Sequence, residues 1–189
     1  MQPLADESGP RFTGAMFETI GAGEASPHRF TASDILAVSM LSVDVPARVS
    51  IALLENDAEH AADLLAAIPV DIDLADAEPA HIAPGSAAWQ LWDLLRSYDE
   101  VGPTIASKLM ARKRPRLIPI QDSVVTATLS HPRRGDFWAA MREALGGTVA
   151  NGMTLSGWLR AAQNEAQIPR HVTQLRVFDV LVWMNGKQF

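Results

Sequence analysis

The chain has 189 residues, no cysteine, 48% hydrophobic residues and a formal net charge of −6. That length buries a core without covalent staples. The missing thiols exclude disulfides, iron–sulfur clusters, thiolate zinc sites and cysteine nucleophiles, and the negative balance excludes a protein that coats nucleic acid with its whole surface.

The opening MQPLADESGPRF has neither the basic flank nor the apolar stretch of a leader, and no later run would span a bilayer, so the sequence predicts a soluble, cytoplasmic chain with no membrane partner. Apolar residues recur at helical spacing, Ala and Leu are frequent and β-branched runs are few, which predicts an all-α fold. Thr31 with Asp34 three residues on opens the helix TASDILAVSML. Pro46 opens ARVSIALLE, and Asn56 opens DAEHAADLLAAI, which Pro69 closes. The stretch 70–85 has little periodicity and two prolines, and reads as a connection with room for a short strand at VDIDL. Six further helical segments follow: SAAWQLWDLLRSY, PTIASKLMAR, SVVTATL, DFWAAMREAL, LSGWLRAAQNEAQ and VTQLRVFDVLVWM. The predicted body is two-lobed, with a helical lobe over 1–69, the connection over 70–85 and a second lobe over 86–189, the two lobes together able to form one compact domain.

Several motifs carry less than they suggest. GAGEAS lacks the preceding strand and the last glycine of a dinucleotide-binding loop, and reads as a turn. Asp71, Asp73, Asp76 and Glu78 begin like a calcium loop without its glycine or closing glutamate, and read as a solvated linker. His28, His60, His81, His131 and His171 show no metal-ligand spacing, so no metal ligand is assigned and no cofactor is expected. Trp89, Trp92, Trp138, Trp158 and Trp183 sit in helical patterns and read as core.

The informative stretch lies between residues 86 and 129. Ala88, Leu91, Leu95 and Tyr98 form one apolar stripe, and only DEVG separates this helix from the next. Gly102 permits close backbone approach, and Pro103 suits the first helical turn. In the second helix Ile105, Ala106, Leu109 and Met110 share one side, leaving Thr104, Ser107, Lys108 and Arg112 on a face expected to be polar and basic. A helix N-terminus with unpaired N–H groups suits phosphate, and Lys108, Arg112, Lys113, Arg114 and Arg116 are expected to strengthen the positive field.

EVGPTIASKL and RLIPIQDSVV resemble the helix-hairpin-helix DNA glycosylases of the endonuclease III type, over about residues 89–129. Members of that family carry a Gly-hydrophobic-Gly turn, a second helix with a Thr-Ala or similar pair, then an apolar-Pro-apolar segment leading to an aspartate. The resemblance implies a helix-hairpin-helix motif with a cleft between two helical lobes. It also implies DNA binding through Gly102, Thr104, Lys108, Arg112, Arg114 and Arg116, and catalysis by Asp122. The lysine of lyase-type members falls on Thr104, and the separation 122 − 104 = 18 matches the family spacing, so the resemblance implies base excision without strand cleavage. Glu100 stands where the first turn glycine would be, and SVVTA after Asp122 lacks the basic residue often found there. FTGAMFETIG, DILAVSMLSVDVP and the hairpin together also resemble an uncharacterised bacterial family.

Three functions fit these residues. One is a monofunctional glycosylase-like enzyme in which Asp122 stabilises a developing sugar cation and guides water. The second is a non-catalytic DNA-binding module in which Asp122 caps the helix SVVTATL. The third is a protein-interaction module, favoured by the net charge and Glu100.

Overall fold

The computed structural model describes residues 12–24, 26–129, 137–149 and 152–187. His131 and Asp136, the latter opening one expected helix, lie outside them. Among the described residues the regular structure is helical, and the only β pairing is a single antiparallel bridge between Thr148 and Thr154. The helices are α1 Ala32–Ser39, α2 Ala47–Ile51, α3 Ala58–Ala67, α4 Pro79–Ile82, α5 Ala87–Ser97, α6 Pro103–Lys113, α7 Ser123–Thr128, α8 Phe137–Gly146, α9 Leu155–Glu165 and α10 Gln174–Lys187. Short 3-10 turns at Thr13–Met16, Ala22–Glu24 and Leu74–Asp76 complete them.

The helix starts follow side-chain chemistry. Thr31 accepts from the Asp34 amide while the Asp34 carboxylate accepts from the Thr31 amide, the reciprocal capping box expected from the sequence. Ser86 caps α5 through the Trp89 N–H, and Thr154 caps α9 through Gly157. Asn56 does not open α3. Residues Ala52–Asn56 instead prolong α2 as a π-helical turn, and the Asp57 N–H reaches back to the Ala52 carbonyl at 2.8 Å. Asp57 then precedes α3 with its carboxylate accepting from the Tyr98 hydroxyl at 2.7 Å, tying the start of α3 to the end of α5. The short strand at VDIDL does not form, because the Leu74 N–H donates to the Arg116 carbonyl and the chain winds into a 3-10 turn there.

One contiguous apolar cluster runs from Phe17 to Val177 and takes residues from both sides of the 70–85 connection. The α5 stripe behaves as the sequence predicts, with Ala88, Leu91 and Leu95 all buried. Trp89 and Trp92 pack on Trp138 of α8, with ring centroids 5.3 and 5.6 Å away, and the Trp89 indole N–H donates to the Ile82 carbonyl. Trp158 departs from the expectation of a core residue, since it is 43% exposed on α9.

Helix α6 lies at the centre. It packs on α1 on one side and α5 on the other, and all its residues from Ala106 to Ala111 are buried. An 11-residue helix buried on so much of its surface must satisfy any charged group it carries from inside the protein. That requirement shapes the site.

Candidate functional site

The face of α6 expected to be outward and basic is turned inward. Lys108 is 3% exposed, and its Nζ donates to the Leu41 carbonyl at 3.0 Å and lies 3.6 Å from Asp122 Oδ2. Burial lowers the Lys108 pKa, and the Asp122 charge opposes that shift. Arg112 donates to the carbonyls of Phe17 and Ile20 and pairs through Nε with Asp34 Oδ1 at 3.1 Å. Lys113 donates to the Ser26 carbonyl and to Asp34 Oδ2 at 2.7 Å, and burial lowers its pKa as well. Arg114 is the largest of the fully buried side chains, and among the described residues no carboxylate pairs with it. It donates to the carbonyls of Leu65, Ile68, Pro27 and Lys113, and its guanidinium meets His28 Nδ1. Two of those carbonyls close the C-terminus of α3, where the helix dipole favours a cation. Burial brings the Arg114 pKa down to about 10, so it remains charged near neutrality. Arg116 alone of the set is exposed, and it makes a two-pronged pair with Asp73 at 2.9 and 3.0 Å.

These placements correct the expectation of an open positive field over Lys108, Arg112, Lys113 and Arg114, while Arg116 lies outside as expected but is paired with Asp73. The physical reason is that their partners come from far along the chain, 67 residues away for Lys108–Leu41 and 95 for Arg112–Phe17, so local spacing could not reveal them.

The hairpin tip itself is exposed at Asp99, Glu100 and Pro103. Glu100, at the expected first-glycine position, has φ of 68°, a left-handed conformation that glycine adopts freely. A Cβ built on Gly102 would meet nothing within 4 Å, so that residue leaves open space around the backbone. The Thr104 hydroxyl donates to the Gln121 carbonyl, and Ser107 Oγ accepts from the Gln121 N–H at 2.9 Å, which fixes the segment leading to Asp122 against α6.

Asp122 caps α7. Its Oδ1 accepts from the Val124 N–H at 2.7 Å and the Val125 N–H at 3.4 Å, while Oδ2 faces Lys108. Lys108 also feels Asp179 of α10, and Asp179 feels Asp122, so α6, α7 and α10 bring charged groups into one buried cluster. Arg176 extends it. The guanidinium pairs with Asp179, lies 2.8 Å from Glu18 Oε1, donates to the Gly14 carbonyl at 3.0 Å and covers the Phe17 ring. Burial pushes the Asp179 carboxyl up to about 6 against the opposing pull of Arg176.

Sequence reasoning missed Glu18, Arg176, Asp179 and the second role of Asp34. A lone aspartate inside VFDVLVWM was the available signal, because a carboxylate in an apolar helical run is usually held inside by a partner.

Two openings adjoin these clusters. A solvent-open cleft of about 220 Å³ lies against Glu18, Ser26, Asp34, Arg112 and Lys113. A tight crevice beside Asp179, lined also by Phe17, Glu18, Thr173 and Arg176, has room for little more than a water molecule. Asp122 lines neither. Among the described residues no group of histidines and carboxylates could hold a metal ion, and no helix is long and apolar enough to cross a membrane.

The arrangement defines an all-α protein with a central, internally paired cationic helix. The chain belongs to a family of unknown function, DUF6308, whose model matches residues 3–186 and so takes in both the N-terminal segment and the hairpin. No curated protein and no solved structure matches it.

Proposed function

We propose that this chain is a non-catalytic interaction module, acting in the cytoplasm on a protein partner. The observation that carries this reading is the double commitment of Asp122, with one oxygen on the N-terminus of α7 and the other facing Lys108. A carboxylate so engaged has a structural duty, and the crevice beside Asp179 in its cluster is too tight for an extruded base. With the α6 cations drawn inside and a net charge of −6, the outer surface offers little to a polyanion. It does offer apolar contacts: Val180, Leu181 and Met184 lie exposed along α10, with Trp158 exposed on the α9 packed against it. The test is enrichment of partners from native extract with the parent chain and with a Leu181→Asp, Met184→Asp variant of unchanged circular dichroism. A protein retained by the first and lost by the second supports the reading. Retention of duplex DNA at physiological salt, or excision of any base from a panel of uracil-containing, alkylated and oxidised duplexes, overturns it.

A second reading, DNA binding through the hairpin tip, has its own support. Glu100 has a left-handed backbone, the conformation a turn glycine would take, which supports this reading, and the exposed helix start could meet one phosphate. Asp99 and Glu100 oppose that contact by charge. Glu100→Gly should then produce measurable duplex binding at low salt if the tip is a phosphate site, and none if it is only a turn.

A further inference from the structure

We propose that the N-terminal segment around Thr13–Met16 and Phe17 is a strap over α6, held by Arg176 and loosened as pH rises through the ionisation of the buried Asp179 cluster. The segment is more than a neighbour. The Phe17 and Ile20 carbonyls take the two terminal nitrogens of Arg112, and Ser26 takes Lys113, so the strap lies on the cations of α6. Its polar tie to α10 runs through the Arg176 guanidinium. Each guanidinium nitrogen of Arg176 faces a different group: one terminal nitrogen donates to Asp179 on its own helix and the other to the Gly14 carbonyl on the strap. Nε lies 2.8 Å from Glu18 Oε1 on the strap as an ion pair, that buried oxygen having no hydrogen-bond partner among the described residues. All three ion-pair partners are about nine-tenths buried, with side chains 10 to 12% exposed, so the charges are poorly screened.

Burial first, and then the Asp122 charge, makes Asp179 proton-seeking against the pull of Arg176 and Lys108. Glu18, Asp179 and Asp122 bring three carboxylates, and Arg176 and Lys108 bring two cations, leaving one negative charge in excess. The groups facing Asp179 are Arg176 on its own helix, Lys108 on α6 and Asp122 at the start of α7, while Glu18 reaches it through Arg176. No described charged residue of α9 is among the influences on it. The raised Asp179 value, near 6, identifies where the proton is taken up. With Asp179 neutral, Arg176 belongs to Glu18 and the strap is tight. With Asp179 ionised, two carboxylates compete for one guanidinium and the strap loosens.

Hydrogen exchange on the full chain tests this. The amides of Phe17 and Ile20, which donate to the Gly14 and Met16 carbonyls, report strap closure. After correction for intrinsic exchange, their protection should fall at least several-fold between pH 5 and pH 8, and Asp179→Asn should keep the high protection at both. Glu18→Gln should lower protection at both pH values. Wild-type protection that is flat across the range, or a fall of equal size in Asp179→Asn, overturns the proposal. If Asp179→Asn does not fold, the Asp179 side-chain carboxyl carbon in the wild type is followed by NMR: a midpoint matching the protection change supports the switch, and any other midpoint refutes it.

Discussion

Glu100 is held in a backbone conformation that suits a different residue. A left-handed φ of 68° places its Cβ against the following carbonyl, a strain of about 1–2 kcal/mol for an L-residue, which glycine avoids at some entropic expense in the unfolded chain. Glu100→Gly should therefore stabilise the fold by about 0.5–1 kcal/mol in urea titration. A loss of stability would mean that the Glu100 side chain makes a contact outweighing the strain. The same residue shows what local sequence can and cannot tell. The Thr31–Asp34 capping box was legible because both partners lie within one turn. The second role of Asp34, pairing with Arg112 and Lys113, depends on residues 78 and 79 positions away and leaves no local trace. A basic run after an apolar helix reads as a solvated face because lysine and arginine are seldom fully buried. The exception here rests on backbone carbonyls supplied by the N-terminal segment and the end of α3.

Among the described elements, nine of the ten α-helices were legible, since periodicity and caps act locally, whereas α4 at Pro79–Ile82, inside the stretch read as a connection, and the mutual packing of the helices were not. The contact of α10 with α7 turns on Gly186. A Cβ added there would come within 2.3 Å of Thr128 Oγ1 and 2.7 Å of Val124 Cγ1, so a side chain forces the helices apart. Gly186→Ala should cost about 1–3 kcal/mol through overpacking, despite the better helix propensity of alanine. Equilibrium unfolding gives the value, and a stabilised variant would show that the two helices are not in close register. The spacing of α10 from α7 also sets the distance between Asp179 and the Lys108–Asp122 pair, so the same variant should shift the Asp179 titration. The π-helical turn at Ala52–Asn56 was not legible, because it reflects where Asp57 must lie to accept from Tyr98 in a helix 41 residues later. Burial of Tyr98 and the Asp57 carboxylate together raise the phenol pKa, which keeps that hydroxyl a donor at any physiological pH.

At the scale of the whole molecule, a single core crosses the expected connection, and buried ion pairs fasten α6 to α1 and α10 to the N-terminal segment. Asp179 makes that assembly pH-sensitive. Its folded pKa of about 6 lies above the ordinary value of 3.8, so between these limits the folded state binds more protons than the unfolded one. Its contribution is greatest below pH 4 and is lost as pH rises through 6, opposite to a carboxylate stabilised by its partners. The shift corresponds to roughly 2–3 kcal/mol at about 1.4 kcal/mol per pH unit. The Tm of the wild type should fall over this range by more than that of Asp179→Asn, and identical slopes would contradict the assignment. The measurement that bears most directly on the central claim, that Asp122 serves the fold, is the unfolding free energy of Asp122→Ala. Loss of the α7 cap, about 1 kcal/mol, together with an unpaired buried Lys108 predicts a decrease of about 2–4 kcal/mol. An unfolding free energy within about half a kcal/mol of the parent, the range of an ordinary surface substitution, would contradict it and return Asp122 to the role of a free, chemically available carboxylate.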